Sequence, residues 1–398
     1  MTTDVSIVIP SWNGLEFLKR FLASVISAAC HYQETCDAAT EIVIVDDGSD
    51  DRSVDWLLGE GFEDCTSPSK RSEPTRSAIT TVSAVQANES SVHKSAGPAL
   101  RLIRNELNQG FGPTCNRGFE YSRHSLVFLL NNDVEVDQNA IGPLVENFVD
   151  ESVFAVHCRV FDLESRQECG SGKIGGFSGG FIRVHRSYVN VRQLASDRRM
   201  EPAQRRRDYS IFATGGSAMF DREKFLQIGA FDSLLAPIYW EDVDTSYRAW
   251  KRGYSIFYEP RSVVHHRVSS TMRKVNQRRL TRLKQRNRLI SHWVNLHDRK
   301  LMVSHILWTL LLCITAPLRL QPSFLLSVFA ALKELPAIRR RRFEERNAMR
   351  RSDSELFEVF ASLEKRSDVV CYDSYDELKL ELKGRNDQAQ MDSVHRLN

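Results

Sequence analysis

The sequence predicts an α/β fold, a mostly parallel sheet flanked by helices, with a helical, basic and partly apolar extension at its C-terminal side. Three observations carry this expectation. Short apolar runs alternate with stretches whose apolar residues recur at helical spacing. Clusters of carboxylates follow several of these runs. The charge of the chain is also unevenly divided: 54 Lys+Arg against 51 Asp+Glu leave only +3. Residues 1–260 hold 27 basic and 36 acidic groups, whereas 261–398 hold 27 and 15, and 261–351 alone hold 21 and 4. At 398 residues, 42% apolar and 26% charged, the composition is that of a globular protein and excludes a collagen-like or wholly disordered chain. Eight scattered cysteines, none in a CxxC pair, exclude a disulfide scaffold and a cysteine metal site, and predict reduced thiols.

Taken in order, Val5–Pro10 reads as a buried strand, and no basic leader precedes it, so the expected compartment is cytoplasmic. Leu15, Leu18, Leu22, Val25 and Ile26 then mark a helix. Ile42–Val45 is a second strand, leading into Asp46-Asp47-Gly48-Ser49-Asp50. Residues 62–99, rich in Ser, Thr, Ala and Glu without periodicity, read as a flexible insertion. Leu100–Ile103 resumes a strand, Gly112–Arg123 a helix and Leu126–Leu130 a strand ending at Asn131-Asn132-Asp133-Val134-Glu135; Asn139–Phe148 is amphipathic. The Gly-rich stretch 170–180 lacks phosphate-loop spacing and reads as a flexible or acceptor-side loop, beside the basic Arg205–Arg207. Further strands are expected within Ser210–Phe220 and Tyr254–Tyr258, and a helix at Val243–Arg252, entered through Trp240-Glu241-Asp242-Val243-Asp244.

Beyond this, residues 271–350 read as a basic, apolar helical extension. Met302–Thr315 and Phe324–Leu335 are apolar but shorter than the ~20 residues a spanning helix needs. They form either a buried helix pair or an interfacial hairpin, and the basic clusters Arg278–Arg288 and Arg339–Arg342 on either side favour an anionic membrane surface. No aromatic residues interleave the basic run 273–288, so nucleic acid is not an expected partner. Residues 351–398 read as a charged, peripheral tail.

Ligands of open α/β sheets sit beyond the carboxyl ends of the strands, where the carboxylate clusters fall. Any one cluster could be turn chemistry or an N-cap. Together on one sheet edge they would repel one another unless a divalent cation or a cationic ligand joined them.

Pro10-Ser11-Trp12-Asn13-Gly14, Val45-Asp46-Asp47-Gly48-Ser49, Asn108-Gln109-Gly110-Phe111 and Leu130-Asn131-Asn132-Asp133 resemble the nucleotide-binding half of family-2 inverting glycosyltransferases. Gly215-Gly216-Ser217-Ala218-Met219, Gly229-Ala230-Phe231-Asp232, Tyr239-Trp240-Glu241-Asp242-Val243-Asp244 and His265-His266 resemble the acceptor half, in the same order. The resemblance spans residues 4–270, so 1–270 is expected to form the domain, and it leans towards the rhamnosyltransferase and galactofuranosyltransferase branch. It implies a GT-A fold and inverting transfer of a sugar from a nucleoside-diphosphate sugar to a hydroxyl of a saccharide or lipid-linked acceptor. The setting implied is cell-surface polysaccharide or glycolipid synthesis at the inner face of the cell membrane.

The resemblance also implies residue roles. Asp242 is the base that takes the acceptor proton, with Glu241 its rival, and the helix N-terminus is expected to hold Asp242 ionised. Asp133 and His265 hold Mn2+ or Mg2+, while Asn131 stands where the family's motif has a charged Asp. Pro10, Trp12, Asn13, Asp46, Asp47, Asn116, Asn131 and Asn132 bind the donor nucleotide, Trp12 through a stacking face unless it is core. Gly215, Gly216, Asp232, Trp240 and Asp244 serve the acceptor or sugar, with turn capping the other reading of Asp232. Arg273 and Lys274 could reach the diphosphate. The competing expectations are a sugar-phosphate nucleotidyltransferase, against which the chain opens without a Gly-rich basic loop, and a non-enzymatic membrane-surface or nucleic-acid-binding protein driven by 261–351.

Overall fold

The computed structural model describes residues 3–66, 97–190, 208–267, 276–317, 322–374 and 376–378. Most of the expected insertion, the basic loop Arg205–Arg207, Arg273 and Lys274 lie outside these residues.

The sheet grows from β1 (Val5–Ser11), which pairs in parallel with β2 (Thr40–Asp46) on one side and β5 (Leu126–Leu130) on the other. Beyond β2 lie β4 (Ala99–Arg104) and the short β3 (Glu63–Asp64), also parallel. Beyond β5 the order continues through β12 (Ser217–Asp221), β7 (Val153–Asp162), β13 (Ser255–His266) and β11 (Asp208–Tyr209). β12 runs antiparallel to both β5 and β7, while β7 and β13 are parallel to one another. The hydrophobic runs are apolar on both faces because helices cover both. Ile7, Ile9, Ile42 and Ile44 point to α1 (Leu15–Cys36) and α4 (Ile141–Val145). Val8, Val43 and Val45 point to the opposite core, shared with α3 (Phe111–Tyr121), α5 (Arg222–Gln227) and α6 (Glu241–Lys251). The short α2 (Ser53–Gly59) follows β2, and β6 (Val134–Val136) follows β5.

Three regions differ from the sequence expectation. The Gly-rich stretch is no loop: β8 (Glu168–Gly170) pairs with β7, and β9 (Gly172–Ser178) pairs with β10 (Phe181–Asn190) and then β14 (Val369–Tyr372) in a separate antiparallel sheet. Glycine is used there for close packing, since a Cβ at Gly175 would strike Ile211. The described part of the tail, up to residue 378, is not peripheral either, and residues 379–398 lie outside the described residues. α11 (Asp353–Glu364) buries Leu356, Phe360 and Leu363 in the main core, with Phe360 edge-on to Trp250 at 5.3 Å. Its charge is internal as well: Asp353 is fully buried and accepts from Tyr247, Lys251 and the backbone N–H groups of His297 and Asp298.

Nor is the extension separate from the 1–270 unit. α7 (Gln277–Asn295) packs against α6, α9 (Pro322–Lys333) and α10 (Leu335–Ala348). Between α7 and α9, α8 (Arg299–Thr315) leaves Leu307, Leu310 and Ile314 between 53% and 72% exposed. The apolar pair is therefore neither wholly buried nor long enough to cross a bilayer; among the described residues no helix is.

Candidate active site

The topology gathers the expected residues at one sheet edge. Because β12 is antiparallel to β5, its beginning lies against the end of β5: Ser217 pairs with Leu130, and Asn131 N–H donates to Gly216 O at 3.1 Å. Because β13 is parallel to β7, its end at His266 arrives at the same edge, in register with Val134 of β6. Two glycines are required by this crowding. A Cβ on Gly216 would sit 2.3 Å from Asn131 Cγ, and one on Gly14 would sit 2.2 Å from Asn132 Nδ2. Asn132 Nδ2 itself donates to Ser11 Oγ at 3.0 Å, so the loop after β5 is fastened to the end of β1.

The loops after β1 and β2 lock together into a cradle. Asn13 N–H donates to Ser49 Oγ, Asn13 Oδ1 accepts from Asp50 N–H, and Asp51 caps α1 by accepting from Leu15 N–H. Pro10 is buried in β1 behind this cradle, while Trp12 stands 50% exposed, so it is not core and offers a free indole face. The two acids at the end of β2, Asp46 in the strand and Asp47 just after it, divide their work. Asp47 accepts from Asn105 Nδ2 and from the N–H groups of Gln109 and Gly110, which shapes the turn into α3 and leaves it an internal brace rather than a donor contact. Asp46 is 2% exposed and accepts from Ser49 N–H through Oδ2, but its Oδ1 has no hydrogen-bond partner among the described residues. A buried carboxylate oxygen left without a donor is costly unless a ligand supplies one. Asn116 is corrected outright: both ends of its amide are bonded to the backbone of Phe231, so it holds the 231 loop.

The imidazole beside Asp133 belongs to His266, not His265. His266 Nε2, partly accessible, lies 3.1 Å from Oδ1 of the buried Asp133. Side chains alternate along a strand, so His265 turns to the other face, 3.6 Å from Asp137 and 3.2 Å from Arg166. Only the register of β13 against β6 separates two adjacent histidines, and that was not legible in the sequence. Asp133 and His266 together offer one oxygen and one nitrogen donor. Among the described residues no group of three His, Cys, Asp or Glu side chains could hold a metal ion. The pair therefore fits a cation whose remaining coordination comes from ligand oxygens, not an all-protein cage.

The second half of the site is the N-terminus of α6. Tyr239 and Trp240 both carry positive φ, 77° and 74°, a strained entry for bulky residues. The strain is held by Asn287 of α7, fully buried, whose amide donates to the carbonyls of Leu235, Ile238 and Tyr239 at 2.6, 3.1 and 2.9 Å. Glu241 is 7% exposed with Oε2 unpartnered among the described residues, and burial, aided by the Asp242 charge, raises its pKa well above the usual carboxylate range. Asp242 is half-buried beside Gly215. Its pKa is also raised by burial, only partly offset by the Val243 and Gly215 backbone N–H groups, so desolvation outweighs the helix N-terminus that was expected to keep it ionised.

Two expected acceptor residues are structural instead. Asp244 is buried, bridging Arg248 Nε at 2.8 Å, Ser291 Oγ and Asn295 Nδ2. Asp232 caps the 3-10 turn at Ser233–Leu235 and pairs with Arg341 at 2.9 Å. Trp240 packs beside His292 and Arg288 at 5.6 Å from each, and Gly215 lies under the Phe111 ring.

A family model described as glycosyl transferase family 2 matches residues 6–61 and 83–229. Over 178 residues the chain is 26% identical to the probable N-acetylgalactosaminyltransferase 9 of Caenorhabditis elegans, covering 44% of this chain and 30% of that one. Over 174 residues it is 26% identical to polypeptide N-acetylgalactosaminyltransferase 14 of Homo sapiens, covering 42% and 30%. The chain thus spans about a third of the length of these curated relatives. The crystal structure of GalNAc-T7 with UDP, GalNAc and Mn2+ superposes with a TM-score of 0.50 at 18% identity, over 75% of this chain and 49% of that one, a likeness of fold.

Proposed function

The chain belongs to glycosyl transferase family 2, and on that premise we propose that it transfers a sugar from a nucleoside-diphosphate sugar to an acceptor hydroxyl with inversion. The observation that carries the reading is the single sheet edge shared by the Asp46 cradle, the Asp133–His266 pair and the Glu241–Asp242 pair. Asp46 Oδ1, lacking a donor, suits an N–H of the nucleobase, with Trp12 as a face against it. Asp133 and His266 would hold a divalent cation, Mn2+ or Mg2+, which when bound supplies positive charge to the diphosphate leaving group. A neighbour of this fold holds UDP and Mn2+, which supports that choice.

The two carboxylates of α6 are adjacent and desolvated, and cannot both ionise easily. Burial raises the pKa of Glu241 well above the usual carboxylate range and also raises that of Asp242, and Asp242, the less buried of the two and facing Gly215, is the one placed to act as the base. As the acceptor oxygen attacks the anomeric carbon and the bond to the diphosphate breaks, Asp242 takes the acceptor proton. Its raised pKa makes it a better base than an exposed aspartate. The acceptor is a saccharide or a lipid-linked species, and the pathway is cell-surface polysaccharide or glycolipid synthesis. Attachment to an anionic membrane surface is supported by the bare apolar face of α8, by Leu326 and Phe329 of α9 at 51% and 64% exposure, and by the adjoining Arg339 and Arg340.

Asp242→Asn is the test. It should bind donor as the wild type does and release nucleoside diphosphate about 10²- to 10⁴-fold more slowly. Full activity in that variant would remove Asp242 from the role of base.

A further inference from the structure

A cavity of about 320 Å³ lies between β10, α7 and α8, outside the residues assigned above. Its polar end is formed by Arg183 and Arg288, its apolar wall by Phe181, Trp308, Leu312 and Phe324. Trp308 is seated by Gly180, where a Cβ would stand 2.4 Å from the tryptophan Cβ and where φ is +77°. The two guanidiniums differ in setting: Arg183 is exposed and its Nε donates to Ser178 O at 3.3 Å, whereas Arg288 is partly buried against the Phe181 ring. Among the described residues no carboxylate pairs with either, Arg288 Nε has no hydrogen-bond partner, and Arg288 makes one bond, to Ile182 O at 3.1 Å. Burial and the charge of Arg183 together push Arg288 down to about 10. A partly buried cation beside a second cation, with no carboxylate on either among the described residues, is an arrangement that an anion would relieve.

The position of Arg288 relates the cavity to the chemistry. Its guanidinium lies 4.3 Å from the Phe181 ring centroid and 5.6 Å from that of Trp240, the residue that leads into Glu241 and Asp242. At the other end, Trp308 and Leu312 share α8 with the bare apolar residues Leu307 and Leu311, 61% and 46% exposed. The cavity thus runs from the threshold of the catalytic helix to the apolar face.

We propose that this cavity binds the lipid phosphate that anchors the acceptor, a single chain with its phosphate on Arg183 and Arg288 and its first segment along Trp308, Leu312 and Phe324, while the hydroxyl that reacts belongs to the saccharide this anchor carries. The word acceptor rests on the glycosyltransfer reading; the amphiphile site does not. The volume, at the lower end for small-molecule sites, suits one chain rather than two.

Farnesyl phosphate, farnesol and inorganic phosphate are titrated calorimetrically into the full chain in mild detergent. Farnesyl phosphate should bind saturably, with farnesol and inorganic phosphate each at least about tenfold weaker. Arg288→Gln and the exposed Arg183→Gln should each weaken farnesyl phosphate by about tenfold, the scale of one charged hydrogen bond. Equal binding of farnesol would make the cavity an apolar slot, equal binding of inorganic phosphate a bare anion site, and unchanged affinity in both variants would remove the arginines; each overturns the proposal. The thermal shift given by UDP with Mn2+ is measured on the same samples. If it persists while farnesyl phosphate fails to bind, the lipid site falls and the transfer reading stands. If it is absent in the wild type while farnesyl phosphate binds, the transfer reading falls and the amphiphile site stands.

Discussion

At the scale of single residues, burial decides which carboxylates are chemical and which are architectural. Asp47, Asp232 and Asp244 are held by internal donors, while Asp46 and Glu241 each keep a buried oxygen without a partner among the described residues and burial raises the pKa of Asp242. Glu241 carries a measurable consequence. Its pKa is raised in the folded state, so the native protein holds more protons than the unfolded one between the ordinary glutamate value and the raised one, and stability falls as pH rises through that interval. Glu241→Gln removes this penalty. Its Tm should exceed that of the wild type at pH 7.5, with the difference vanishing near pH 4, as thermal melts at the two pH values would register. Arg248 makes the opposite case: Arg248→Met leaves the Asp244 carboxylate buried and unpaired and should cost about 3–5 kcal/mol in denaturant unfolding. The sequence marks Asp46, Asp47, Glu241, Asp242 and Asp244 as clusters at the ends of predicted elements, and Asp232 only through the family resemblance. It could not separate them, because Asp-Asp and Glu-Asp neighbours differ only in the direction each side chain takes from the backbone, which the fold sets.

At the scale of elements, the strands of the nucleotide-binding half and the helix α6 were legible because their apolar runs and spacing are unambiguous. The C-terminal elements were not. α11 reads as charged, yet Leu356 and Phe360 recur four residues apart on one face and its one buried acid finds four donors from distant elements. Leu356→Ala should therefore destabilise the whole domain by about 2–5 kcal/mol in chemical denaturation, a loss no peripheral tail would show. α7 was likewise read as a basic extension, but its buried face supplies Asn287, Ser291 and Asn295 to the loop and helix that carry Asp242. Asn287→Ala should lower kcat more than it raises the donor KM, because it frees the strained Tyr239–Trp240 entry without touching the nucleotide cradle. Steady-state kinetics separates the two parameters.

At the scale of the whole molecule, the near-neutral +3 conceals an acidic sheet edge and a basic, apolar flank with its own small core, joined through the contact of α6 with α7. Histidines are buried or, at His297, partly buried across both parts: His157, His292, His297 and His305 all have depressed pKa values, with desolvation the main cause, His157 at about 3 and His297 at about 4. Each binds a proton in the unfolded chain below about pH 6.5 that it refuses in the folded one. Stability should thus drop as pH falls from 6.5 towards 4, by up to about 1.4 kcal/mol per histidine per pH unit, in urea unfolding at pH 7 and 5. The central claim is that one sheet edge holds a nucleoside diphosphate together with a cation on Asp133 and His266. It is tested most directly by the thermal shift of the full chain with nucleoside diphosphates, with and without Mn2+, in the wild type, His266→Ala and His265→Ala. The account predicts a shift that needs both ligands, collapses in His266→Ala and survives in His265→Ala. No shift with any nucleoside diphosphate, or an undiminished one in His266→Ala, would contradict it.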